Sequence, residues 1–169
     1  MLHHNLLFQF SPDKTNSTIT VKREFAANVD LVWEAWTRPE ILDQWWAPKP
    51  YRTQTKTMNF KVDGFWLYAM ISPENQKHWC RADYKKIEVK KFYSALDAFC
   101  DEQGTINTDF PRSLWSNTFI QQGDHTLVSI TIQYATLAEL EKIIELGFKE
   151  GFTMALGNLD QYIEEKFKR

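Results

Sequence analysis

Cysteine is scarce in this sequence: Cys80 and Cys100 are the only two, they form no CxxC pair, and they cannot build a disulfide framework. Buried free thiols are the expected state. A surplus of one charge is also missing, since 20 basic and 22 acidic side chains leave a net charge of −2 and a pI near 6.1. Broad electrostatic binding to nucleic acid or to an anionic membrane is therefore not expected. No apolar run approaches the roughly 18 residues of a membrane-spanning helix. The longest, Phe65 to Ile71, is strand-sized. The opening MLHHNLLFQFSPDK lacks a basic leader, a sustained apolar block and a small-residue cleavage site, so no signal peptide is expected and a cytoplasmic location is. Motifs for metals and phosphates are absent too. His78 and His125 are isolated, His3-His4 fall in an expected tail, and no HExxH, HxH, GxGxxG, phosphate-binding loop or GxSxG occurs. No metal and no cofactor is expected.

What is abundant is aromatic surface. Twelve Phe, six Tyr and seven Trp make up 15% of the 169 residues, within a 43% hydrophobic total. A chain of this size buries about two-thirds of its unfolded surface without help from metals or disulfides. Seven tryptophans exceed what such a core needs. Trp and Tyr carry a polar edge, which suits a chamber that is partly wet or that holds an amphipathic molecule.

Residues 1–16 read as an N-terminal tail, with Ser11-Pro12-Asp13-Lys14 as a turn, and residues 17–169 as one domain. Ile19, Val21 and Phe25 follow the period of a half-buried strand. Asn28 is a helix N-cap, after which Val29, Val32, Trp33 and Trp36 predict a short amphipathic helix. Thr37 and Pro39 restart a second one carrying Ile41, Leu42, Trp45 and Trp46. An antiparallel meander is expected next: residues 53–62, an Asp63-Gly64 turn, FWLYAMIS, then 79–88, 92–100, 114–121 and 126–134. From Leu137 to Phe167 the period becomes 3.6, with Gly147 and Gly151 one turn apart inside the stripe. One helix cannot cover both faces of so large a sheet. A strongly twisted sheet of six to seven strands wraps around the helix instead and leaves a gap.

The stretch VWEAWTRPEILDQWWAPKP, the Asp63-Gly64 turn and the closing GFTMALGNLDQYI carry a resemblance covering about residues 17–167. The signature is Trp33, Trp36-Thr37, Pro39, Trp45-Trp46 and Pro48, then Gly151-Phe152 and Leu159. It is similar to the SRPBCC or START-like superfamily, and within it to the C-terminal domain of the activator of the 90-kDa heat-shock protein ATPase. The resemblance implies an α+β helix-grip fold of the START or Bet v type, with a hydrophobic tunnel between the curved antiparallel sheet and a long C-terminal helix. The eukaryotic activator docks on its chaperone through a separate N-terminal domain, for which this chain has no room, so co-chaperone activity is not expected.

Polar chemistry concentrates in the hairpin 79–100. A turn centred near Lys90 would set Cys80 opposite Cys100, Arg81 opposite Phe99 and Asp83 opposite Asp97, with Arg81 diagonal to Asp97. Two facing carboxylates need a counter-ion, solvent or a shared proton. If this face lines the cavity, Arg81, Asp83 and Asp97 form a cluster able to orient a ligand or to act as acid and base. If it faces outward, they form a solvated salt-bridge patch. Both placements are open at this stage. Trp66, Tyr68 and Met70 share one face of their strand, and Phe65, Leu67, Ala69 and Ile71 the other, so that strand is covered twice or forms a homodimer contact. Trp46, Trp79, Trp115, Phe119, Phe148 and Phe152 are further candidates for the cavity wall, with Phe99. The lysine-rich run KKIEVKK, Lys85 to Lys91, reads as protection against edge pairing.

Three readings follow. The leading one is a protein that binds a small hydrophobic or amphipathic molecule. Another is an enzyme of the cyclase, dehydratase or hydrolase type, with Asp83, Asp97 and Arg81 as candidate catalytic groups. The third, resting on the resemblance alone, is a chaperone-associated or stress-related interaction module.

Overall fold

The computed structural model describes residues 6–167, so His3 and His4 lie outside the described residues. Eight strands run in the spatial order β1-β2-β8-β7-β6-β5-β4-β3, and every neighbouring pair is antiparallel. They are β1 (Phe8–Asp13), β2 (Thr18–Phe25), β3 (Arg52–Met58), β4 (Phe65–Ile71), β5 (Lys77–Glu88), β6 (Phe92–Phe99), β7 (Ser113–Gln122) and β8 (His125–Gln133). Two short helices, α1 (Val29–Thr37) and α2 (Pro39–Trp45), follow β2, and α3 (Leu137–Glu145) and α4 (Phe148–Lys166) close the chain. This is the helix-grip arrangement of a curved sheet around a terminal helix.

Local chemistry sets the helix starts. The Asn28 side chain accepts a hydrogen bond from Leu31 N at 3.0 Å, and Thr136 Oγ1 accepts one from Glu139 N at 3.1 Å. Each satisfies a donor that a helix start leaves unpaired. Pro39 occupies the first turn of α2, where its missing N–H costs nothing.

Two departures from the sequence reading shape the molecule. Residues 8–13, expected in a tail, form edge strand β1, running from Phe8 opposite Arg23 to Asp13 opposite Thr18. Pro12 suggested a turn, but an edge strand tolerates proline because only one side of its backbone joins a ladder. The sheet therefore has eight strands rather than six or seven, and the short helices follow the second strand. The expected long helix is also interrupted, since α3 ends at Glu145 and Gly147 adopts φ 91° before α4 begins. The glycine makes a corner that an L side chain would resist.

The concave side of the sheet has a solid half and an open half. In the solid half, Ile19 and Val21 of β2 and Val128, Ile130 and Ile132 of β8 are buried with Leu156, Leu159 and Ile163 of α4. Trp33, Trp36 and Trp45 from the short helices complete it. A buried ion pair between Arg23 and Asp160 ties β2 to α4. On the convex side Leu67, Ala69 and Ile71 of β4 are buried within the chain itself. Of the two expectations for β4, double coverage describes these three residues, while Phe65 on the same face is half-buried.

Candidate functional site

The open half lies between β4–β7 and the α3–α4 corner. Strand alternation aims Trp66, Tyr68 and Met70 from β4, Cys80, Ala82 and Tyr84 from β5, and Tyr93, Ala95 and Asp97 from β6 into one cavity of about 330 Å³. Trp115 and Asn117 of β7 extend this floor, and Phe148, Gly151 and Phe152 of α4 form the roof.

The walls are aromatic rings in edge-to-face and stacked contact. Trp46 reaches Trp66 at 5.7 Å, Trp115 at 5.8 Å and Phe152 at 6.0 Å between ring centroids. Its indole Nε1 donates to Tyr68 Oη at 3.1 Å, so the ring is pinned to the opposite wall. Trp66 stacks on Tyr68 at 3.9 Å, and Phe148 on Phe152 at 5.3 Å. Trp66 Nε1 donates to Thr55 Oγ1 at 2.9 Å, which satisfies its polar edge without using cavity space.

One carboxylate enters this chamber. Asp97 Oδ1 accepts from Ser113 N at 2.8 Å and from Ser113 Oγ at 2.7 Å, and Oδ2 accepts from Trp115 Nε1 at 3.0 Å. Burial pushes its carboxyl above the ordinary value, while these hydrogen bonds act in the opposite direction. Its negative charge adds to burial in raising Tyr68, Tyr134 and Cys80, whose thiol is pushed up to about 12. Burial is the larger cause in each case. Midway along β7, Asn117 is hydrogen-bonded to Tyr93, and its Oδ1 is buried without a partner.

The expected triad is split by register. A bulge between Tyr84 and Lys86 shifts the β5–β6 pairing, so Asp97 faces Ala82, Asp83 faces Leu96, Arg81 faces Ala98 and Cys80 faces Phe99. One residue of slip turns a whole strand face over. Arg81 and Asp83 consequently sit on the convex side, away from Asp97, which corrects both the expected Asp83–Asp97 opposition and the Arg81–Asp97 diagonal. Asp83 there bridges Arg81 Nη2 and Arg112 Nη2, each at 2.6 Å. Burial works to raise the Asp83 carboxyl, but the two guanidinium groups outweigh it and hold the carboxyl below its ordinary value. Arg81 also stacks on Phe65 at 4.6 Å and donates to Gly104 O at 2.9 Å.

The other candidates sort as follows. Trp46, Trp66, Tyr68, Phe99, Trp115, Phe148 and Phe152 line the chamber. Trp79 does not; it alternates with Cys80 onto the convex side, where Lys56 and Lys77 lie 5.8 and 5.9 Å from its ring. Phe119 shares the concave side but is packed into the solid half, 5.0 Å from Trp33 and 6.0 Å from Trp36. Sequence reasoning missed Tyr84, Tyr93, Ala95, Ser113, Asn117 and Tyr134. For the β6 and β7 residues the period-2 pattern was available; the bulge beside Tyr84, which the sequence reading did not contain, hid that residue.

Comparison with known proteins gives this architecture a family. Protein Ms6760 of Mycobacterium smegmatis has a similar structure with a TM-score of 0.85 and 25% identity, over 93% of this chain and 96% of that one. A protein of Arthrobacter aurescens superposes with a TM-score of 0.88 at 24% identity, covering 93% and 91% of the two chains. The protein CalU16 of Micromonospora echinospora gives a TM-score of 0.60 at 16% identity, over 97% and 89%. No curated protein matches the sequence. The model of the activator of Hsp90 ATPase homolog 1-like proteins matches residues 26–164, and the chain belongs to that family.

Proposed function

We propose that this protein binds one small hydrophobic or amphipathic molecule in the chamber between the sheet and α4. The observation that carries the reading is the 330 Å³ cavity itself, lined by aromatic rings that are held in place by hydrogen bonds and ring contacts rather than collapsed into the space. Apolar burial would supply affinity at about 25 cal/mol per Å², and the few inward polar groups would supply orientation. The acid–base pair that an enzymatic reading requires is divided between the two faces of the sheet, so simple binding is the better-supported activity. Both cysteines are free, which agrees with a reducing, cytoplasmic setting.

Ala95 lines the cavity floor and offers a direct test. Solvent extraction of natively purified protein, followed by mass spectrometry, is expected to release one apolar or amphipathic species in near-stoichiometric amount. The Ala95→Leu variant, with the floor raised, is expected to release none. Equal recovery from both proteins would overturn the reading.

A further inference from the structure

Among the described residues, Asp97 is the only carboxylate that lines the cavity, and no described Lys, Arg or His lines it. Three donors converge on it, two from Ser113 and one from Trp115, and they work for the ionised form against the burial that raises the carboxyl, a balance that a cation on its open side would complete. A carboxylate has about four lone-pair positions, so one acceptor position remains on Oδ2 beside Trp115. Its negative charge has no counter-ion inside the chamber. The nearest guanidinium, Arg112, donates to the Asp97 backbone oxygen at 3.1 Å and is paired with Asp83 behind the sheet. A buried carboxylate that is fully prepared by donors and yet unpaired on its open side is costly unless a cation arrives. The surrounding rings add to this preference, because the faces of Trp and Tyr attract a cation within about 6 Å.

We propose that the occupant of this chamber is a lipophilic amine, whose apolar body lies among Trp46, Trp66, Trp115 and Phe152 and whose protonated nitrogen pairs with Asp97. The inference rests on the binding function proposed above and narrows it. It disfavours fatty acids and other anionic amphiphiles, because a second negative charge would meet Asp97 among described lining residues that include no cationic side chain.

Three probes of nearly one shape separate the possibilities: naphthylethylamine, naphthylethanol and naphthylacetate. Binding is followed through the indole N–H signals in ¹H–¹⁵N spectra, where Trp115 reports directly on Asp97. The amine is expected to bind at least about tenfold more tightly than the alcohol, as a charge-assisted bond in a dry site allows, and the acid is expected to give no saturable shift. In the Asp97→Asn variant the amine should fall to within about threefold of the alcohol measured in the same variant. An alcohol that binds as well as the amine, or an acid that binds best, overturns the amine assignment while leaving the binding chamber intact. Failure of all three probes overturns both. An amine preference that survives in Asp97→Asn also overturns the assignment. Should that variant not fold, the N-acetyl derivative of the amine replaces it in the unmodified protein, and equal affinity for the amine and its amide is the overturning result.

Discussion

Ala82, not Asp83, stands opposite Asp97 across the β5–β6 pair, and the two carboxylates therefore occupy opposite faces of one sheet. They live in opposite electrostatic worlds as a result. Asp83 is clamped by two guanidinium groups on the convex side, whereas Asp97 faces an aromatic chamber whose described lining includes no cationic side chain. Their responses to pH should differ in sign.

The Asp83→Asn variant is expected to lose about 1–3 kcal/mol, because charge-assisted bonds from Arg81 and Arg112 are weakened together. The folded-state carboxyl lies below its ordinary value, so its contribution is present above the unfolded-state pKa and vanishes as pH falls through the folded-state one. Urea denaturation at about pH 7 and about pH 3 should show the two proteins converging in acid. Affinity for chamber ligands should be unaffected.

Asp97 behaves in reverse. Its folded-state carboxyl is raised, so the folded state holds the proton more firmly and wild-type stability falls as pH rises above the ordinary carboxylate value. Asp97→Asn removes that slope. Between about pH 4 and about pH 7, the variant is expected to gain on the wild type in urea midpoint, and a constant gap across this range would contradict the assignment.

Two glycines four residues apart should respond oppositely to alanine. Gly147, at φ 91°, is expected to cost about 1–2 kcal/mol on substitution, although no side chain stands closer than 4.0 Å to the new Cβ. Gly151 lies inside α4, where the new Cβ would meet only Pro48 Cγ at an ordinary 3.7 Å. Gly151→Ala should therefore stabilise by about 0.5–1 kcal/mol through helix propensity. Thermal denaturation of both variants decides the point.

Filling the chamber should not harm the fold. Ala95→Leu places new methyl groups into existing space, so its melting temperature is expected to match or exceed that of the wild type. A loss of more than about 2 kcal/mol in unfolding free energy would mean that the space is too tight to accept them.

The Cys80 thiol, pushed up to about 12, should be almost inert to alkylating reagents near neutral pH, since the thiolate is the reactive form. Cys100 is half-buried and is expected to react first. Mass spectrometry of partially labelled protein would show the order.

Most of the fold was legible because periodicity is a local signal. The alternation of Val128, Ile130 and Ile132, the cap at Asn28 and the apolar stripe of the last helix each need only a few neighbours to be read. The register of the 79–100 hairpin was not, because the sum of paired residues is fixed at the turn and altered by a bulge at Lys85, which no composition rule announces. That single extra residue moved Arg81, Asp83 and Trp79 to the convex side. Phe119 failed for a different reason. It points toward the concave side as expected, but whether a concave residue meets empty space or Trp33 depends on where α1 and α2 come to rest. Strand β1 was lost to Pro12, whose tolerance depends on the strand being at an edge.

The placement of Trp46 among Trp36, Trp45, Trp66 and Trp115, all within 5.8 Å between centroids, couples five indoles optically. Excitation absorbed by any of them can hop to the ring that touches the occupant. The unlabelled chain is thus its own photometer: one absorbing guest would dim most of the intrinsic emission at once, and its departure could be timed from the recovery of that light.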